Sequence, residues 1–254
     1  MRSDSGEICF GVAAIADFAG KENTVKKSIY GVLIVTIVAP ALRAYGQDFY
    51  AGAAGGVNFA DLKITFADPT MTNYDVKSRT LFGVGGFFGI SLNENLSVQL
   101  EPTYIVKGGR YTERTTPEMK IRSSQLDFAL VARLGIGKDV RPFIAVGPFM
   151  SVLLNANMNV ELVGREWEGD MMQALKRTEY GIEIGAGVGI PVWKGSVFVE
   201  GRYALGLTNV NKGGSFDLKY GSVVADRITT DPMDEIKTRG VLVMIGYQLP
   251  LDGE

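Results

Sequence analysis

The side chains in this sequence best able to do chemistry are carboxylates and guanidinium groups set at alternate positions in apolar surroundings. Glu101, Asp127, Arg133, Glu183, Glu200 and Arg202 form the main set, with Lys107 and Arg141 on the same polar faces. Carboxylates near one another can act as general acid and base, can pass protons or ions, or can be sealed against basic partners as a structural polar core. The rest of the composition argues against catalysis. The chain has no histidine, so the commonest general base and metal ligand is absent. Its one cysteine, Cys9, rules out an intramolecular disulfide and a cysteine-based zinc site. Nucleophiles that rely on histidine for activation are excluded, and no motif supports a carboxylate-only mechanism. Gly185-Ala186-Gly187-Val188-Gly189 lies inside an alternating segment with no helix after it, so it is not a phosphate-binding loop. The expectation is a protein that is not an enzyme, with no cofactor and no metal site, whose charges are structural. With 26 basic and 28 acidic residues there is no basic face for nucleic acid.

Period-two alternation dominates the elements that must position these charges, and it marks strands with two unlike faces. Leu96, Val98, Leu100, Pro102, Tyr104 and Val106 oppose Ser97, Gln99, Glu101, Thr103 and Lys107, with Ile105 as an exception. Leu126, Phe128, Leu130, Ala132, Leu134 and Ile136 oppose Gln125, Asp127, Ala129, Arg133 and Gly135. Tyr180 to Ile190, Val197 to Leu207 and Val241 to Leu249 repeat the pattern. Segments near 48–60, 78–92 and 140–154 fit more loosely, because Phe87, Phe143, Phe149 and Leu153 fall on faces otherwise polar. Short connections (Asn93-Glu94-Asn95, Lys138-Asp139, Lys194-Gly195) alternate with long ones at about 61–77, 108–121, 155–177 and 210–236. That alternation predicts an all-β, eight-stranded antiparallel up-and-down transmembrane β-barrel with short periplasmic turns and four long outer loops.

Each polar face carries only one or two charges among Gly, Ala, Ser and Gln. A soluble barrel would show a charge at nearly every second outward position, so the polar faces are assigned to a narrow, plugged interior and the apolar faces to lipid. Glu101, Asp127, Glu183 and Glu200 are expected to meet Arg133 and Arg202 there. The 32 glycines among 254 residues suit a tightly curved sheet. Phe49, Tyr50, Phe59, Phe82, Tyr104, Tyr180, Trp193, Tyr203 and Tyr247 are candidates for interfacial girdles.

Lys26 and Lys27, the apolar run Ser28–Leu42 and Ala44-Tyr45-Gly46 read as a cleavable signal peptide over 25–46, with processing before Gln47. Residues 1–24 precede the usual basic start of such a signal and read as an extension, with translation expected to begin near Val25. Residues 47–254 are expected to form the barrel domain of a Gram-negative outer-membrane protein.

Three stretches give the sequence a family likeness: Gly55-Gly56-Val57-Asn58-Phe59-Ala60-Asp61-Leu62; Gln99-Leu100-Glu101-Pro102-Thr103-Tyr104 with Lys107-Gly108-Gly109; and Glu200-Gly201-Arg202-Tyr203-Ala204-Leu205-Gly206-Leu207-Thr208-Asn209. Together they resemble the small PorT-like outer-membrane β-barrels, over about residues 47–251. The resemblance implies fold and location; one member's association with a protein-secretion system implies an accessory role in secretion as an alternative. The expected function is structural or surface interaction through the outer loops, with transport of small or apolar molecules as another alternative. Expected partners are outer-membrane lipid and surface or secretion-system proteins, with the chain a monomer. The loop residues Asp226, Asp231, Asp234 and Glu235 offer oxygen ligands, but their spacing matches no calcium loop and they read as solvated.

Overall fold

A strand with one apolar and one polar face is stable only if each face finds its own environment, and a closed sheet provides two. The computed structural model describes residues 48–67, 75–112, 118–137, 139–162, 164–221 and 223–251. The expected signal peptide and N-terminal extension lie outside the described residues. Among the described residues eleven strands form: β1 (Asp48–Thr65), β2 (Asp75–Ser91), β3 (Leu96–Thr112), β4 (Met119–Gly135), β5 (Arg141–Leu162), β6 (Arg165–Asp170), β7 (Thr178–Val192), β8 (Gly195–Gly206), β9 (Gly214–Tyr220), β10 (Val223–Thr230) and β11 (Glu235–Pro250). All pairings are antiparallel. They run from β1 through β2, β3, β4 and β5 to β7, β8 and β11, and β11 pairs back onto β1, so the sheet closes.

The remaining three strands correct the expectation of long outer loops at 155–177 and 210–236. The lower part of β5 pairs with β7, while its outer part, Asn157–Leu162, pairs with β6; β9 and β10 extend the sheet from there. Gly164 and Gly221, with φ of 70° and 60°, make the two hairpin turns. Asn157 and Asn159 donate across to Glu168 (3.0 Å) and Glu166 (2.8 Å). The four polar residues hid a two-stranded ribbon in what reads as loop composition.

Along the closed sheet, sidedness reverses once. In the lower part the apolar residues point out: β1 exposes Val57 and Phe59, β4 Leu130 and Leu134, β7 Ile182 and Ile184 (61%), β11 Val243 and Ile245 (60%). Farther out the same strands turn polar groups outward: Asp61 and Lys63 on β1, Arg122 and Lys120 on β4, Asn157 and Asn159 on β5, Arg239 and Lys237 on β11. At that height the inward residues become apolar, with Leu62, Ile121, Met158, Val160 and Ile236 in one buried cluster. A bulge at Leu154, where Leu153 pairs Gln125 and Asn155 pairs Ser124, resets the alternation of β5 so that Ala156, Met158 and Val160 follow Leu153 inward.

Glycine keeps the lower interior passable to large rings. A Cβ at Gly89 would overlap the Tyr50 ring, and one at Gly246 would overlap Phe198. A Gly89→Ala substitution is expected to destabilise the folded barrel by ~1–3 kcal/mol through overpacking. Combined with Tyr50→Ala it should cost less than the sum of the two, with coupling on the order of 1 kcal/mol. Chemical unfolding in detergent micelles measures both; strict additivity would mean the ring and the glycine do not share the space.

Candidate functional site

The interior is layered, and each layer follows from which inward positions the register brings level. Nearest the short turns lies an aromatic box. Tyr50, Phe87 and Phe198 are buried there, with Phe143 packed against them. Phe87 and Phe143 each meet Phe198 edge to face. The Arg133 guanidinium enters this box, its carbon 4.7 Å from the centroids of both Phe143 and Phe198 and 5.8 Å from that of Phe87. Ring faces carry partial negative charge, so they receive a desolvated cation well. This is why aromatics sit on the polar faces of β2 and β5 and break the alternation there.

Above the box is the first ion cluster. Arg202, on β8, bonds Glu101 of β3 (2.6 Å), Glu183 of β7 (2.6 Å) and Glu200 of its own strand (2.7 Å). Arg133, on β4, bonds Glu200 at 2.5 Å and stands 4.0 Å from Glu101. Glu200 has no exposed surface (0%). Gln99 donates to Glu101 and receives the Tyr50 hydroxyl at 3.0 Å.

Asp127 does not join this cluster; it pairs with Lys107 (3.0 Å) in a second one. Lys107 also reaches Glu179 at 3.4 Å and Ser151 at 3.1 Å, and lies 4.8 Å from the Phe149 ring centroid. Thr238 donates to the other Glu179 oxygen. The structure therefore brings five of the six proposed residues together around Arg202 and Arg133 and sets Asp127 apart. Lys107 and Glu179 complete the second cluster. Lys107 lies on a polar face in the sequence and Glu179 adjoins the apolar Tyr180 out of phase with it, but inward charges on different strands give no sign of their relative height. Arg141 stands exposed at the turn end, donating to the Glu94 carbonyl.

Two cavities flank the second cluster, each of about 30 Å³, comparable with one water molecule. One is lined by Asp127, Glu183, Arg202 and Asn58, the other by Gln125, Ser151, Glu179 and Leu175. Above them the apolar cap closes the bore: Met171, Ala174 and Leu175, from the segment between β6 and β7, pack against Leu62, Tyr111, Ile121, Leu153, Val210 and Phe216. The carboxylates of the last loop are taken up by backbone amides and a lysine. Asp231 accepts from the Met233 amide (2.8 Å), Asp234 from Ala67 (3.0 Å), and Glu235 pairs with Lys237 (2.7 Å).

Of the aromatic residues considered for the girdles, Phe59, Phe82, Tyr180, Trp193 and Tyr203 are exposed on the outer surface. Tyr50 is a correction, since it points into the box and is spent on Gln99. Phe49 is another, buried and stacked on Phe88 at 5.9 Å.

Removing Arg202 would leave Glu101, Glu183 and Glu200 facing one another with a single cation nearby. Arg202→Met is expected to lower barrel stability by about 3–5 kcal/mol, the scale for breaking a buried pair from one side. Glu183→Gln should cost less, because Glu101 and Glu200 still hold the guanidinium. The temperature at which the folded gel band converts to the unfolded one ranks the two variants; equal ranking would show that Arg202 is not the hub.

The profile of a family described as outer membrane protein beta-barrel domain matches residues 44–212. Among solved structures, OprG of Pseudomonas aeruginosa aligns with a TM-score of 0.44 at 11% identity, over 80% of this chain and 95% of that one. Ail of Yersinia pestis aligns at 0.38 and 10%, covering 79% and 98%. The outer membrane protease OmpT of Escherichia coli aligns at 0.39 and 9%, covering 80% and 97%. No curated protein matches.

Proposed function

Given that the chain belongs to the outer membrane protein beta-barrel domain family, we propose that it is an integral outer-membrane protein, crossing the bilayer with the eight strands β1, β2, β3, β4, β5, β7, β8 and β11. Its short turns face the periplasm and its capped end faces outward. It acts as a non-enzymatic monomer whose role is structural or surface interaction. The observation that carries this reading is the height of the apolar belt. On β1 it runs from Ala51 to Phe59 before Asp61, on β4 from Leu134 to Leu126 before Arg122, and on β11 from Leu249 to Val241 before Arg239. Each stretch is close to the 9–11 residues that a tilted strand needs to cross hydrocarbon.

The short turns support the same orientation. Trp193, at the tip of the β7–β8 turn, is 97% exposed and adopts φ of 56°, a left-handed conformation that favours glycine. An indole held there against backbone preference suits the interfacial zone, where its ring and N–H are both accommodated. Nothing in the proposed role uses a catalytic group, because the buried carboxylates are occupied by cations and neutral donors and the chain has no histidine. The stretches that resemble PorT-like barrels lie in the wall and its polar rim, so that likeness speaks for the barrel type and not for a secretion role.

Three measurements test this reading. Membrane fractions should retain the protein through alkaline carbonate washing, and unheated samples should migrate faster on gels than heated ones. In a Trp167→Phe variant, Trp193 emission should be quenched by lipids brominated near the headgroup end of the chain and not by those brominated at its tip. Planar bilayers should show no conductance steps above leak, given the cap and the small cavities; regular steps would replace the proposed role with transport. Carbonate-extractable protein would remove the membrane assignment itself.

A further inference from the structure

Lys176, Arg177 and Lys212 are exposed, and among the described residues none of them forms an ion pair. They line a pocket of about 640 Å³, together with Met172, Gln173 and Leu175. Backbone bonds fix the frame that carries them. The Lys176 amide donates to Val210 (2.8 Å), the Lys212 amide to Ala174 (2.9 Å), and the Leu153 amide to Arg177 (2.8 Å). Leu175 and Asn211 form a bridge between the two segments. Leu175 and Ala174 belong to the buried cap, so the cations are mounted on the most firmly packed part of the outer end.

Height decides what these cations meet. Tyr180 is the last exposed apolar residue of β7, and Arg177 lies three positions beyond it, roughly 10 Å along an extended chain. On the neighbouring segment Leu207 is the last exposed apolar residue and Lys212 lies five positions farther on. Under the membrane orientation proposed above, on which this inference rests, that level is the headgroup layer of the outer leaflet. The lining combines cations with thioether and aliphatic surface, and no carboxylate lines it. Its volume is many times that of an inorganic phosphate.

We propose that this basic pocket seats the phosphorylated headgroup of an outer-leaflet glycolipid. The three cations neutralise the phosphates, and the half-buried Met172 meets the first carbons of the acyl groups. Cations at a membrane surface act mainly through charge, so each should contribute about a fivefold gain in binding. Losing all three should weaken binding roughly a hundredfold.

The test uses folded chain, verified by heat-modifiable migration, in phosphatidylcholine vesicles containing a fluorescent bisphosphorylated acyl-disaccharide (lipid A). Energy transfer from protein to probe reads proximity and saturation. Wild type should saturate, a Lys176→Gln/Arg177→Gln/Lys212→Gln variant should need roughly a hundredfold more probe, and a Lys176→Arg/Arg177→Lys/Lys212→Arg variant should behave like wild type. Equal saturation by the glutamine variant overturns the proposal. So does competition by inorganic phosphate at concentrations matching the lipid, which would make the pocket a free-anion site. Failure of every form to integrate into vesicles is a different result: it removes the membrane reading, and this inference falls with it.

Discussion

Hydrocarbon gives neither a charge nor a backbone amide anything to bond, and the architecture of this chain follows from meeting that constraint. Closure of β11 onto β1 and of β5 onto β7 leaves no unpaired strand edge through the belt. The same closure creates an inside, and the inward positions there must be satisfied without bulk water. Arg202 answers three carboxylates from three strands at once, so the ion cluster ties β3, β7 and β8 across the bore as well as around the wall. A buried cluster of this kind adds little net stability compared with an apolar filling. Its effect is to fix register, since a one-residue slip of β8 would turn Arg202 and Glu200 out into the lipid.

Carboxylates outnumber cations in the interior: Glu101, Asp127, Glu179, Glu183 and Glu200 against Lys107, Arg133 and Arg202. Neutral donors take up part of the difference, with Gln99 on Glu101 and Thr238 on Glu179. The cations in turn have more partners than the acids supply, because Phe143, Phe198 and Phe149 offer ring faces to Arg133 and Lys107. Rings of that size fit a narrow bore only where the facing strand carries no side chain, so the glycine content and the aromatic box have a common cause.

Much of the wall was legible in the sequence because the period-two signal is strong where the two faces meet media as different as lipid and a polar bore. Three things were not. Phe87, Phe143, Phe149 and Leu153 looked like faults in the alternation, since pattern reading has no class for an aromatic that serves a buried cation. The strands β6, β9 and β10 were hidden because they are short: β6 turns only Trp167 and Gly169 inward and β9 only Phe216 and Leu218, too few alternations to stand out from loop composition. Heights along the bore were also illegible, and so Asp127 was placed with Arg133 and Arg202 instead of with Lys107. Alternation tells which way a side chain points, whereas stagger between strands decides which side chains share a level.

The reversal of sidedness above the belt separates the constrained positions of the wall from the freer ones beyond it. Within the belt, outward positions are committed to hydrocarbon and inward ones to pairing, so neither is free to change without loss of the fold. Beyond the rim β5 continues to Leu162, and its outer part packs like a water-soluble sheet, apolar side in and polar side out. That packing holds the segment Met171–Arg177 in place by burying Met171, Ala174 and Leu175, which leaves the intervening and following polar side chains to project from a fixed backbone. A loop of the same composition without the buried residues would have to be ordered before it could contact anything, a cost that this packing removes. The cap therefore does two jobs with one set of contacts: it closes the bore, and it holds the exposed side chains of this segment on a fixed backbone.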